Sequence, residues 1–264
     1  MRRDDPPGRS AVARIGADGV LEMVRMCRSD GEIRDAVGPE QALVVVDAPL
    51  EVPEGATGRR DVEHVLAWLD IPAFPVTGAR LAKVHGGARG PRLRDALPAA
   101  AVAVQGIPDQ VLRQLLWEQA HPPGSPPLGL ARFREDWQSV RPPAFRPRGG
   151  KARHDGLAPA RDLLAGVVDL AAWPQPERTG DLAALDEAAA IDAVACALTA
   201  HRVLHGPPDG WMRLGTRADG LVVIPAGPDL IERAVVNIDR MAAEGTIATP
   251  REVAGGAVGP ADSW

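Results

Sequence analysis

Ala42-Leu43-Val44-Val45-Val46-Asp47-Ala48-Pro49 decides the fold class. Five consecutive apolar residues with no polar alternation leave neither face of the segment for water. A short run rich in β-branched residues reads as a strand buried on both faces of a parallel sheet. It stops at a carboxylate, and Pro49 and Pro53 then turn the chain. Asp47 therefore ends the strand at its carboxyl edge, where open α/β sheets place ligands and catalytic groups. Asp30 to Val37, just upstream, supplies a short crossover helix.

Ser10 to Ile15 and Val20 to Met26 read as two strands joined by the tight turn Gly16-Ala17-Asp18-Gly19. Ala100 to Val104 repeats the buried-strand signature and stops at Gln105-Gly106-Ile107-Pro108. Asp109 then caps a helix from Gln110 to Ala120. Asp61 to Leu69 and Gly156 to Asp169 read as helices. The clearest helix runs from Leu182 to Leu204, with Thr179 or Asp181 as cap and Gly206 as stop. Gly220 to Pro225 gives a last strand and Asp229 to Ala243 a last helix. Glu51 to Pro98 is otherwise weakly patterned. Residues 121–155, rich in proline and arginine, read as an extended surface excursion. The expectation is one α/β domain over residues 1–245 and a C-terminal tail over 246–264.

Composition narrows the function classes. The 264 residues are 45% hydrophobic and 25% charged, as in an ordinary globular protein. No apolar run approaches the roughly 20 residues of a membrane span, and no hydrophobic signal region follows Arg2-Arg3. Two cysteines, Cys27 and Cys196, support neither a disulfide framework nor a cysteine-based zinc site. A reducing, cytoplasmic setting is expected. A net charge of −5 argues against a protein that coats nucleic acid electrostatically. Between Arg132 and Arg153, however, seven basic residues face two acidic ones, an excess able to meet phosphates.

The carboxylates carry the chemistry. Asp47 either binds a ligand at the strand's edge or satisfies backbone N–H groups of the turn after it. Asp192 shares a helical face with Leu185, Ala188, Ala189, Ala195, Cys196 and Thr199. A charge in such a stripe needs a cation or donors to offset its desolvation. Asp4 and Asp5 precede Pro6-Pro7-Gly8 and end either a very short first strand or a solvated terminus. Acidic residues on a first strand, a central strand and a late helix can converge on a divalent ion. The histidines lack a metal-ligand spacing such as H-E-x-x-H, no phosphate-binding P-loop is present, and no serine lies in a G-x-S-x-G context.

Val44-Val45-Val46-Asp47-Ala48-Pro49-Leu50 with Pro53, together with Ile191-Asp192-Ala193-Val194-Ala195-Cys196-Ala197-Leu198-Thr199-Ala200-His201, resembles domain-of-unknown-function family 429, predicted nucleases with an RNase H-like fold. Asp5-Pro6-Pro7-Gly8-Arg9, Val104-Gln105-Gly106-Ile107-Pro108-Asp109 and Gly220-Leu221-Val222-Val223-Ile224-Pro225 look like further segments of it. The resemblance implies an RNase H-like α/β fold, a mixed central sheet with flanking helices. It also implies a Mg²⁺ or Mn²⁺ site built from Asp5, Asp47 and Asp192. Gln105 stands where the family favours Glu, keeping an oxygen ligand and losing a charge. The expected activity is metal-dependent phosphodiester hydrolysis of DNA or RNA, with Arg146, Arg148, Lys151 and Arg153 on the flanking phosphates. The alternative is a catalytically inactive RNase H-like module that binds nucleic acid or a protein partner. An actin- or sugar-kinase-like reading needs a duplicated domain, which this chain lacks.

Overall fold

The structure is a computed structural model that describes residues 9–53, 58–73, 75–85, 87–122, 125–126, 128–147, 153–216 and 220–247. It is an α/β arrangement with a mixed sheet and flanking helices. Strands β1 (Ser10–Ile15) and β2 (Leu21–Cys27) form the expected hairpin, closed by Gly19 N to Gly16 O at 3.0 Å. Ser29 Oγ accepts from Glu32 N at 3.1 Å and starts α1 (Asp30–Val37). Strand β3 (Ala42–Val46) follows, then helices α2 (Asp61–Trp68), α3 (Gly78–His85) and α4 (Arg89–Ala96). Next come β4 (Ala101–Gln105), α5 (Pro108–Ala120), α6 (Leu130–Ser139), α7 (Leu157–Ala165) and α8 (Gly180–His205). Strands β5 (Trp211–Leu214) and β6 (Val222–Pro225) and helix α9 (Pro228–Ala243) complete the order.

The main sheet has the order β3-β4-β6-β5, with β3, β4 and β6 parallel and β5 antiparallel. Leu43, Val45, Val104 and Val223 on one face pack on Val203 of α8. Further along the sheet the opposite side is covered by α2, α6 and α9, with Phe133, Trp137, Leu66 and Ile238 among the buried residues. Beside β3 that side meets α1 and α4, where Val46 packs on Ile33 and Leu93. A further core joins α5, α7 and α8 around Leu112, Leu164 and Ile191.

Some expectations need correction. The excursion at 121–155 is not extended throughout, because α6 lies within it. Phe133 and Trp137, one turn apart, are fully buried against Trp117, and the prolines on both sides hide that period in the sequence. The helix after β4 starts on Pro108, so Asp109 sits inside its first turn rather than capping it. Ile247, inside the tail expected from residue 246, is buried, and residues 248–264 lie outside the described residues. Among the described residues the hairpin β1-β2 also forms a sheet of its own, separate from β3.

Strands β1 and β3 lie along α8 in opposite senses. Arg9 Nη1 reaches Asp186 at 3.4 Å, and Ala17 O lies 3.4 Å from His201 Nε2, so β1 runs in the sense of α8. Leu43 packs beside Val203, while a Cβ on Gly106 would lie 2.3 Å from Val45 Cγ1 and 3.7 Å from Cys196 Sγ. β3 therefore runs against α8, and against β1.

The chain at Ala144-Phe145 crosses directly over Gly156. A Cβ there would lie 2.5 Å from the carbonyl carbon and oxygen of Ala144 and 2.7 Å from Phe145 N. Gly156 precedes α7 at φ −91°, a conformation any residue adopts, so only this crossing opposes substitution. Gly156→Ala should destabilise the fold by about 1–3 kcal/mol, read as a shift of the urea midpoint at constant slope. An unchanged midpoint would mean the crossing is not tight.

Candidate functional site

Four side chains meet at the carboxyl edge of β3. Asp47 leaves the sheet where β3 ends, and Asp192 comes from the middle of α8, the helix that covers this face. Asp109 arrives from the first turn of α5, because β4 ends at Gln105 and only Gly106-Ile107-Pro108 separates them. Phe145 is buried in the core between α5, α7 and α8, which delivers the next residue, Arg146, into the centre of the three acids.

Arg146 spans the group. Its Nη2 donates to Asp47 Oδ2 at 2.9 Å and to Asp192 Oδ1 at 2.8 Å, and its Nε donates to Asp192 Oδ1 at 3.0 Å. Nη1 lies 3.6 Å from Asp109 Oδ2. The Asp192 side chain is the least exposed of the four, at 24%. Desolvation raises its pKa to about 7, Arg146 opposes that rise, and Asp47 adds to it. Burial likewise pushes the Asp47 carboxyl above its ordinary range, against the pull of Arg146. Desolvation alone would weaken the Arg146 guanidinium, but the attraction of Asp192, Asp47 and Asp109 wins and raises it. These directions agree if one cation faces more negative charge than it can neutralise. With all groups ionised, three carboxylates against one guanidinium leave a charge of −2, and a proton held near Asp192 relieves part of it. Buried Cys196 lies under the same carboxylates: burial pushes its thiol up, and Asp47 and Asp192 push it further.

The sequence-based site is thus partly assembled. Asp47 and Asp192 come together as expected. Asp5 lies outside the described residues, as do Arg148 and Lys151. Gln105 is not brought to this cluster. Its Oε1 accepts from Arg60 Nη2 at 3.2 Å, within a buried network in which Arg60 Nε also donates to Glu63 Oε1 at 2.9 Å. Alternation along β4 explains this: Val104 faces α8, so Gln105 faces away from it. Arg146 holds carboxylates here, and Arg153 is half-buried. The sequence reading missed Asp109 as a site residue by taking it as a helix cap. Its place four residues after the end of a buried strand was the available signal.

Among the described residues no three acidic, histidine or cysteine side chains are spaced to hold a metal ion as placed. No helix among them is long and apolar enough to cross a membrane, and Cys27 and Cys196 are both free and buried.

No family model matches the chain, and no solved structure matches it. A curated protein, the 5-methyl-1-naphthoate synthase of Streptomyces sahachiroi, is 31% identical over 209 residues. That match covers 75% of this chain and 11% of the synthase, so the chain spans about a tenth of that relative's length.

The raised Asp192 pKa sets a pH dependence. A carboxyl whose folded pKa lies above its unfolded value binds its proton more tightly in the folded state. Its contribution is complete below the unfolded pKa near 4 and is lost as pH rises to about 7. Relative to Asp192→Asn, the native protein should therefore lose about 2–4 kcal/mol of stability between pH 4 and 7. Parallel pH profiles for the two proteins, from urea unfolding, would show that Asp192 titrates normally.

Proposed function

We propose that this protein is a divalent-metal-dependent hydrolase of phosphodiester bonds in DNA or RNA, built on an RNase H-like fold. One observation carries the reading: Asp47, Asp109 and Asp192 converge on a single guanidinium, with two negative charges left over when all are ionised. A divalent ion supplies the two missing charges. The donors are all oxygen, the chemistry that hard Mg²⁺ and Mn²⁺ prefer. When bound, such an ion polarises a phosphoryl oxygen and makes its water a better nucleophile at neutral pH.

The chain's own groups have distinct parts. Asp47 and Asp192 would hold the ion between the strand edge and α8, with Asp109 on the α5 side and Asp5 as a further ligand. Arg146, drawn off one carboxylate, would present its fork to a phosphate, a bidentate partner it suits. Arg148, Lys151 and Arg153 extend that positive charge along the same excursion. In the metal-free protein Asp192, with a pKa of about 7, exchanges a proton at neutral pH; holding an ion would keep it ionised, so it would serve as a ligand and not as the base.

A second reading is an RNase H-like module without activity. It is favoured by Arg146 already spanning the acids and by Gln105, neutral and engaged with Arg60.

Titration with Mn²⁺ or Mg²⁺, followed by thermal unfolding, separates the readings. At a hundredfold excess over Kd, native-state binding adds about 2.7 kcal/mol, or roughly 5–10 °C in Tm. Asp192→Asn should remove most of that gain. An equal response in both proteins would place any metal elsewhere, and none in either would leave the inactive module.

Arg146→Gln distinguishes metal binding from turnover. Removing the competing cation should tighten Mn²⁺ binding severalfold, measured by calorimetry. Cleavage of a generic single- or double-stranded substrate should fall at least tenfold, because the phosphate contact is lost. Unchanged affinity for Mn²⁺ would mean that Arg146 does not share the ion's position.

A further inference from the structure

Strand β1 runs in the sense of α8, so the turn between β1 and β2 lands on the last turn of that helix. There Ala17 O lies 3.4 Å from His201 Nε2. The ring of His205, one turn further along α8, has its centroid 5.1 Å from that of His201. In sequence the pair has the spacing of the two histidines in H-E-x-x-H, with Arg202 in place of the glutamate. The missing glutamate hid the pair, and a backbone carbonyl brought in by a hairpin leaves no motif at all.

Both distances fit a single metal ion. Nitrogen and oxygen ligands stand about 2.1 Å from Zn²⁺, so two of them on a tetrahedral ion are roughly 3.4 Å apart. The separation of Ala17 O and His201 Nε2 matches that edge, and it is long for an N–H···O hydrogen bond. Two imidazoles on the same ion have their centroids roughly 5.2 Å apart at the tetrahedral angle, against 5.1 Å here. Ala17 O accepts no backbone N–H among the described residues. A Cβ on Gly19, which has φ +80°, would still lie 3.9 Å from His201 Nε2, so the turn leaves space beside that nitrogen. His201 is half-buried and His205 exposed, which gives an ion a way in from solvent.

The surrounding charges favour a cation. A Cβ on Gly16 would lie 2.7 Å from Asp18 Oδ1 and 2.6 Å from Glu22 Oε1, so two carboxylates crowd the same turn. The C-terminal end of α8 is the negative end of its dipole. Arg202, between the two histidines, is held by Glu118 of α5 at 2.7 and 2.8 Å. We propose that the β1–β2 turn and the last turn of α8 form a transition-metal site, for Zn²⁺ in the first place. His201 Nε2, the His205 ring and Ala17 O would hold the ion, with water completing the tetrahedron. Imidazole suits Zn²⁺ better than the hard Mg²⁺ and Mn²⁺, so this site differs in chemistry from the acid cluster. It differs in place too, since His201 lies nine residues beyond Asp192, roughly 14 Å along α8. The bound ion fastens the hairpin to the helix, and the proposal does not depend on the nuclease reading.

A Zn²⁺ titration of the full chain, followed by NMR of the histidine rings, tests this. The rings of His201 and His205 should shift together and saturate ahead of the other histidines. Amide hydrogen exchange within 16–20 should slow at least tenfold, and Tm should rise by several degrees. Mg²⁺ should do none of this. His201→Ala and His205→Ala should each weaken Zn²⁺ binding at least tenfold by calorimetry, and circular dichroism checks that both variants fold. His154→Ala, which removes an exposed histidine paired with Asp181, should leave the affinity unchanged. Shifts of both rings without slower exchange at 16–20 would mean chelation by the helix without Ala17, and would overturn the proposal. So would a shift of one ring alone or of neither, an equal response to Mg²⁺, unchanged affinity in either ring variant, or an equal loss in His154→Ala.

Discussion

The Arg146 guanidinium among Asp47, Asp109 and Asp192 is the constraint on which the site depends. It fastens the end of β3, the start of α5, the middle of α8 and the proline-rich excursion to one point. Each of those elements has its own reason to arrive there. β3 ends at a carboxylate because an apolar run can go no further into water. α5 starts only two residues after β4, past Gly106-Ile107. Arg146 follows Phe145, whose ring is anchored in a core. The charges meet because the packing brings them together, and they do not balance. Burial raises the Asp192 pKa although a guanidinium lies against it, and the excess of negative charge adds to the rise. One cation shared among three acids cannot offset their desolvation and mutual repulsion.

The sequence foretold the parts of this arrangement that depend on local pattern. Ala42 to Val46 and the long helix through Asp192 announce themselves by apolar runs and by a carboxylate standing in a stripe of small residues. Two acids of the site were therefore legible. Asp109 was not, because near a helix start an acid is expected for the helix alone, and only the neighbouring strand gives it another role. Arg146 was legible as a positive charge but not as the partner of these acids. It reaches Asp47 across 99 residues and Asp192 across 46, and no local periodicity records such pairs. Gln105 was placed by its neighbours in sequence, whereas strand alternation turns it toward Arg60 and Glu63.

The strands show the same limit. A hairpin and a buried strand joined by a short helix look like one sheet when read along the chain. Among the described residues β1 and β3 stand apart with α8 beneath both, and β3 pairs along one edge only. Pattern states what a strand needs and leaves its neighbour unspecified. The helix α6 was hidden for a related reason: its two aromatic anchors lie in a segment whose prolines dominate the reading.

The proposed metal chemistry rests on an uncompensated charge that a divalent ion could neutralise. The direct measurement is a ¹³C NMR titration of the aspartate side-chain carboxyls, assigned through Asp192→Asn, with and without Mg²⁺. Asp192 should titrate near 7 in the metal-free protein, and several units lower with Mg²⁺ present. A midpoint near 4 that Mg²⁺ leaves unmoved would contradict both the charge imbalance and the metal site built on it.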